Sequence, residues 1–417
     1  IKLPRTLAPH YFTMNMKEKL KNRALSAKEE YEMIKTPKLV MIPGPTPVTR
    51  SIQDQMGRET VAFGDPFFVQ DYKDVLADLK ELWKCSGEVF VVAGSGTLAM
   101  EMAIANITKR GDSVLICSNG YFGDRFIDMC QRKGLEVDVL SAKWGTSVTA
   151  EEVEKKLSEK KYDVVTVTHV ETSTGAAAPI DAIGKVVKAH GALYVVDGVA
   201  ASAGAEEYMD PMGIDVLLSC TQKAFGVAPG LAILWASKEA VEKRRSLGTI
   251  PESYADFEKW LPVMHDPSKY WGTPAINLVW ALKESIRIIK EEGIEERYNR
   301  HLRQAALVDA ALEAMGFRVA AEKPFRAPTL SVYLYPEGAN VNDAEFRTVL
   351  AEEGAQTAGC LADFAGKGFR MGHMGNVDKH ILVSAVAAVE RAAMRCGIDI
   401  EPGKGLGVLQ KGLAEEH

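Results

Sequence analysis

The sequence predicts an α/β protein: a mostly parallel sheet with helices on both faces, followed by a smaller α+β domain. Three observations predict it. Strand-like apolar runs alternate with helical patterns between Glu88 and Ala236, the order that parallel strand-helix-strand units produce. The runs end in glycine-rich or polar turns, which is where open parallel sheets collect ligands. Beyond Arg245 the texture changes to long helical patterns and a few isolated strands.

At 417 residues the chain exceeds the usual size of one hydrophobic core, so two domains are expected. The expected division is an N-terminal extension or arm over 1–36, a large domain over 37–292 and a small C-terminal domain over 293–417. Hydrophobic residues at 47% and charged residues at 25% fit an ordinary globular protein and exclude disordered and fibrous classes. A net charge of -6 argues against nucleic acid or an anionic membrane surface as the main partner. The six cysteines form no C-x-x-C pair and the eight histidines no H-x-x-x-H spacing, so reduced buried thiols are expected and no metal site. No apolar run approaches the roughly 20 residues of a membrane span. A cytoplasmic protein is the simplest expectation.

Taken in order, Met14 to Ile34 is charged, helix-prone and sparsely apolar, the pattern of a flexible arm or of one packed across a partner subunit. Three prolines around Gly44 make Met41–Val48 stiff and extended, a wall or a boundary. Apolar residues at helical spacing predict a helix over Asp71–Trp83. Glu88–Val92 reads as a strand, broken by Gly94-Ser95-Gly96-Thr97 before a helix over Leu98–Ile107. Glycines there let backbone approach an anion, and the free N–H groups of the helix start attract it. By itself such a turn serves a blank connection as readily as a phosphate cradle.

Ser113–Cys117 is a further strand, and Asn119–Gly123 reads as a turn presenting Tyr121 and Phe122, either of which could stack on a flat ring. Asp163–Thr168 is a strand followed by the polar loop Glu171–Gly175. A helix over 180–190 and strands over 193–197, 214–219 and 231–236 complete the alternation. Helices over 276–291 and 294–315, strands over 329–334 and 368–375, and a helix over 377–396 make up the rest. Arg370 lies between glycines in an apolar strand. It either serves an internal ion pair or awaits a carboxylate from outside.

The chemistry centres on Ser219–Gly226. Lys223 stands there in a small, mostly uncharged loop just after a strand, where desolvation lowers an amine pKa and yields a nucleophile for an aldehyde. Asp197 ends the preceding buried strand. A carboxylate to keep a pyridine nitrogen protonated and an amine to hold an aldehyde are what a pyridoxal phosphate site needs. Each residue alone has a bland reading, as a helix cap or a surface charge.

In chain order the strings P-G-P-T-P at 43–47, G-S-G-T-x-A-x-E at 94–101, N-G-x-F-G-x-R at 119–125, E-T-S-T-G at 171–175, V-V-D-G-V-A at 195–200, S-C-T-Q-K-A at 219–224, Y-W-G-T-P at 270–274 and R-M-G-H-M-G at 370–375 resemble the class V aminotransferases of fold type I. The likeness is to the alanine-glyoxylate and serine-pyruvate group and runs from about Pro43 to about Cys396. It implies a pyridoxal 5'-phosphate cofactor, a large domain with a seven-stranded sheet, and a homodimer with two shared sites. By the resemblance Lys223 would hold the cofactor aldehyde and shuttle the proton at the substrate Cα, with Asp197 opposite the ring nitrogen. Ser95, Gly96, Thr97 and Gln222 would bind the phosphate, joined by Tyr270 and Thr273 of a second subunit. Phe122 would stack on the ring, Thr172 face its hydroxyl and Val199 line the cofactor site. Arg370 would hold the substrate α-carboxylate, with Gly44 beside it.

The sequence departs from the group in two places. Phe122 stands where tryptophan is usual, and Glu59–Pro66 lacks a histidine-arginine pair often found there. The implied activity is transfer of an amino group from alanine or serine to glyoxylate or pyruvate. Ureidoglycine, phosphonate or sulfonate amines are alternative donors within the wider family. A cysteine desulfurase or lyase, with Cys360 as acceptor, and a non-catalytic protein retaining the fold also stay open at this point.

Overall fold

A computed structural model of the chain describes residues 38–415; the expected N-terminal arm lies outside the described residues. From Leu39 onward the chain forms one compact unit with two hydrophobic clusters, one around each of its larger sheets. The main sheet has seven strands: β1 (Glu88–Ala93), β2 (Ser113–Ser118), β3 (Glu136–Ser141), β4 (Val164–Thr168), β5 (Leu193–Asp197), β6 (Val216–Cys220) and β7 (Leu231–Ala236). Their order is β1-β7-β6-β5-β4-β2-β3. All pairings are parallel except those of β7, which runs antiparallel to both neighbours. Strands β4, β6 and β7 are buried along their whole length, because helices cover both faces and leave no side for polar residues.

The smaller sheet contains β8 (Arg318–Val319), β9 (Leu330–Leu334), β10 (Ala358–Gly359) and β11 (Gly368–Gly372) in the order β8-β9-β11-β10, all antiparallel. It packs with the helices Asp343–Glu352 and Lys379–Arg395. The long helices Ile276–Glu292 and Ile294–Ala314 connect the two sheets along the chain. No helix of the described residues is long and apolar enough to cross a membrane.

Three sequence expectations shift. The helix expected from Asp71 begins at Pro66, where Asp65 caps it by accepting the Phe67 and Phe68 N–H groups. Tyr121 and Phe122 open the helix Tyr121–Lys133 rather than forming a free turn. The strand around Arg370 stops at Gly372, before the turn containing Gly375 at φ +81°. The proline-rich segment is the wall its composition suggests. Leu39–Val40 pairs with Ala355–Gln356, and Met41 O accepts the Gly372 N–H at 2.8 Å, so the segment runs from the small sheet to the lysine loop.

Candidate active site

The loops after β1, β2, β4, β5 and β6 converge on a cavity of about 170 Å³ at the carboxyl edge of the sheet. Ser95, Gly96, Thr97, Phe122, Thr172, Asp197, Val199, Gln222 and Lys223 all line it. Their gathering follows from topology, since these five strands run in one direction and end at the same edge, with β7 reversed between β1 and β6.

Lys223 is placed by its backbone. Phe225 is fully buried and stacks on Trp83, with ring centroids 5.4 Å apart, which fixes the loop in the core. Arg297, itself buried, donates to Ala224 O at 2.8 Å, to Ala203 O at 2.9 Å and to Asn376 Oδ1 at 3.1 Å. One guanidinium thus ties the lysine loop, the turn after Asp197 and the segment after Arg370. Thr46 Oγ1 donates to Lys223 O at 2.7 Å, and Lys223 Nζ donates to Pro43 O. Gly44 has φ +106°, and a Cβ there would lie 2.7 Å from Nζ; only a glycine lets the wall come so close. Burial pushes the lysine pKa down and Arg370 pushes it the same way, while Cys220 and Asp197 oppose.

Asp197 ends β5, buried, with Oδ1 accepting the Val199 N–H at 2.9 Å. Burial raises its carboxyl to about 7; Glu171 and Glu207 add to the rise, whereas the Val199 N–H and Lys223 lower it. Glu207 is held by His169 Nδ1 at 2.8 Å and Ser202 Oγ at 2.6 Å, and the His169 backbone N–H donates to Asp197 O at 2.9 Å.

On the cradle side, Ser95 caps the helix Gly96–Ile107, its Oγ accepting the Leu98 N–H at 3.4 Å. A Cβ on Gly96 would lie 2.9 Å from Val199 Cγ2, so glycine allows the helix start to sit on the Val199 wall. Gln222 Oε1 and Thr168 Oγ1 are buried without a hydrogen-bond partner, and both residues line the cavity. Buried polar atoms are rarely left so; a ligand with polar atoms of its own would satisfy them.

Arg370 occupies the middle of β11, half-buried, and its Nε donates to Gly359 O at 2.8 Å. Among the described residues no carboxylate forms an ion pair with it, so the internal-partner alternative has no support. Burial lowers its pKa, as expected for a guanidinium without a counter-ion. Tyr270 and Thr273 lie outside the cavity. Tyr270 is 60% exposed, lies tilted against Phe63 with ring centroids 5.2 Å apart and shares a hydrogen bond of 3.3 Å with Thr273 Oγ1. Cys360 is buried, and burial lifts its thiol to about 12, the opposite of a reactive thiolate.

Sequence reasoning missed Glu171 as an organiser. Its Oε2 accepts the N–H groups of Phe122 and Gly123, each at 3.0 Å, and its Oε1 accepts the N–H and hydroxyl of Ser173 at 2.9 and 2.6 Å. It also missed Arg125, Thr168 and Cys220 on the cavity wall. Arg125 was open to detection as the last residue of N-G-x-F-G-x-R; the helix Tyr121–Lys133, read as a turn in sequence, puts it three residues past Phe122 on one face.

The sequence profile described as aminotransferase class-V matches residues 64–359. The chain is 36% identical over 383 residues to an uncharacterised aminotransferase of Methanocaldococcus jannaschii, covering 91% of this chain and 98% of that one. It is 33% identical to a serine–glyoxylate aminotransferase of Hyphomicrobium methylovorum, covering 90% and 94%. The solved structure of an alanine–glyoxylate aminotransferase from Nostoc sp. superposes with a TM-score of 0.82 at 32% identity, covering 85% and 95%.

Proposed function

The chain belongs to the class-V aminotransferases, and on that premise we propose that it binds pyridoxal 5'-phosphate at Lys223 and moves the amino group of alanine or serine to glyoxylate or pyruvate. The observation that carries the proposal is the buried, pKa-depressed Lys223 in one cavity with a buried carboxylate, Asp197. Two of the relatives above take glyoxylate in their names with different donors, serine and alanine. This supports glyoxylate as acceptor more firmly than either donor.

The residues present fit the cofactor. A helix start capped by Ser95 suits a phosphate, and the unpartnered Gln222 and Thr168 oxygens await polar atoms. A carboxylate held near neutrality by burial gains from a cation placed against it. When bound, the protonated ring supplies an electron sink for negative charge at the substrate Cα. Lys223 Nζ would hold the cofactor aldehyde carbon and, once freed from it, would move the proton at that Cα, its lowered pKa keeping the freed amine neutral. Asp197 keeps the proton on the ring nitrogen. Phe122, Val199 and Thr172, which line the same cavity, would hold the ring.

Arg370, lacking a carboxylate of its own, binds the substrate α-carboxylate through its planar fork, and Gly44 leaves room next to the lysine. We read the exposed Tyr270 and Thr273 as reaching the phosphate of a second subunit, which makes the working unit a homodimer. Cytoplasmic location is part of the same reading. Adding pyridoxal 5'-phosphate to the purified protein is expected to produce an absorbance band near the visible edge that shifts with L-alanine. Several amino acids tested against glyoxylate and pyruvate then rank the donors. Absence of the band, or near-wild-type turnover in Lys223→Ala, would overturn the proposal.

A further inference from the structure

The donors assigned above to the cofactor phosphate, Ser95, Gly96, Thr97 and Gln222 with Tyr270 and Thr273 of a partner, are all neutral. A phosphate monoester carries a charge of roughly -1.5 to -2 at neutral pH, and a helix start offsets only about half a charge. A buried anion of that size calls for a cation. The cavity wall has two cationic side chains, Lys223 and Arg125. Lys223 is committed to the aldehyde in the reading on which this inference rests.

Arg125 stands on the cradle side of the cavity. Its Nη1 is 3.3 Å from Thr97 Oγ1, and its guanidinium lies 5.2 Å from the centroid of the Phe122 ring. It also borders an adjoining hollow of about 600 Å³, shared with Thr97, so the guanidinium separates the two spaces at the cradle. Among the described residues it forms no ion pair. The carboxylates near it in sequence are engaged elsewhere: Asp124 accepts the Ser118 hydroxyl at 2.7 Å, and Asp128 pairs with Arg132 at 2.7 Å. Glu101, on the wall of the adjoining hollow, forms no ion pair with it.

We infer that Arg125 is the charge partner of the cofactor phosphate within the same chain, its fork hydrogen-bonding phosphate oxygens beside Thr97. Guanidinium and phosphate match in charge and geometry, and the helical offset from Phe122 places the ring contact and the phosphate contact on one rigid element.

The test compares pyridoxal 5'-phosphate with pyridoxal, which lacks the phosphate, in titrations of cofactor-free wild type, Arg125→Gln and Arg125→Lys. Arg125→Gln is expected to weaken the phosphorylated ligand about 10- to 100-fold, the effect of one charge-assisted hydrogen bond. Pyridoxal affinity should stay near wild type, and Arg125→Lys should recover part of the loss. Added salt should shrink the preference for the phosphorylated ligand in wild type more than in Arg125→Gln. Equal losses for both ligands would overturn the inference and make Arg125 a support for the Phe122 wall. Unchanged affinities would overturn it as well. Wild type that binds neither ligand would instead overturn the cofactor reading beneath it. Should Arg125→Gln fail to fold, Arg125→Lys carries the same comparison, with equal losses for both ligands again overturning the inference.

Discussion

The carboxylate of Glu171 holds the backbone of Phe122, 49 residues earlier in the chain, through a 3.0 Å hydrogen bond from the Phe122 N–H. All four of its contacts are donors, and it has no ion-pair partner among the described residues. It joins the helix bearing Phe122 to the loop bearing Thr172, two walls of one cavity. Glu171→Gln keeps the volume but turns an NH2 toward N–H or O–H donors. A buried donor left unpaired costs about 1–3 kcal/mol, so melting temperature should fall by several degrees and cofactor affinity should fall with it. Unchanged values of both would show that the clamp does not position the ring wall.

The catalytic edge was legible because glycine, hydroxyl and charged residues each followed an apolar run, and a parallel sheet brings such ends together. Glu171 was not legible as an organiser. In the sequence it opens a polar run, and its burial depends on a helix packing onto it from far along the chain. The early start of the helix at Pro66 was hidden for a local reason. Its first turn buries only Phe68 while Phe67 stands 83% exposed, so the apolar period begins a turn later than the cap. Arg370 posed two alternatives in sequence, and only the absence of an ion pair to it among the described residues separates them.

The charge state of Asp197 gives a pH prediction. Its folded pKa, about 7, lies above the ordinary 3.8, so the folded cofactor-free chain binds more protons than the unfolded one between those values. Stability of the cofactor-free protein therefore falls as pH rises through that window. A cationic ring favours the ionised carboxylate, so cofactor affinity should rise with pH over the same interval. Titrations in a Lys223→Ala background remove the amine's own ionisation, and adding Asp197→Asn should flatten the difference. Equal pH profiles with and without Asp197 would place another acid at the ring. In the otherwise native enzyme Asp197→Asn should lose several orders of magnitude in kcat.

Arg370→Lys tests the carboxylate contact. Lysine retains the charge and loses the planar fork. Losing one or two charge-assisted hydrogen bonds of about 1.5–3 kcal/mol each lowers kcat/KM for the amino acid by about one to four orders of magnitude. Since Arg370 has no ion pair among the described residues and its Nε donates to Gly359 O, the melting temperature should change little. A large drop in melting temperature with intact amino-acid kinetics would assign Arg370 to structure alone.

The exposed pair Tyr270 and Thr273 gives the sharpest test of a shared site. If Tyr270 serves the phosphate of a partner, a chain carrying Lys223→Ala still offers a good Tyr270, and a chain carrying Tyr270→Ala still offers a good Lys223. A dimer of one of each then has one site with both defects and one site with neither. Random exchange of the two variants should restore about a quarter of wild-type activity, because about half the dimers are mixed and each has one intact site. Action of Tyr270 within its own chain predicts no such recovery, since every site would carry a defect. The measurement is activity against mixing ratio after co-refolding or co-expression, and a flat line at the level of the single variants would remove Tyr270 from the partner's site.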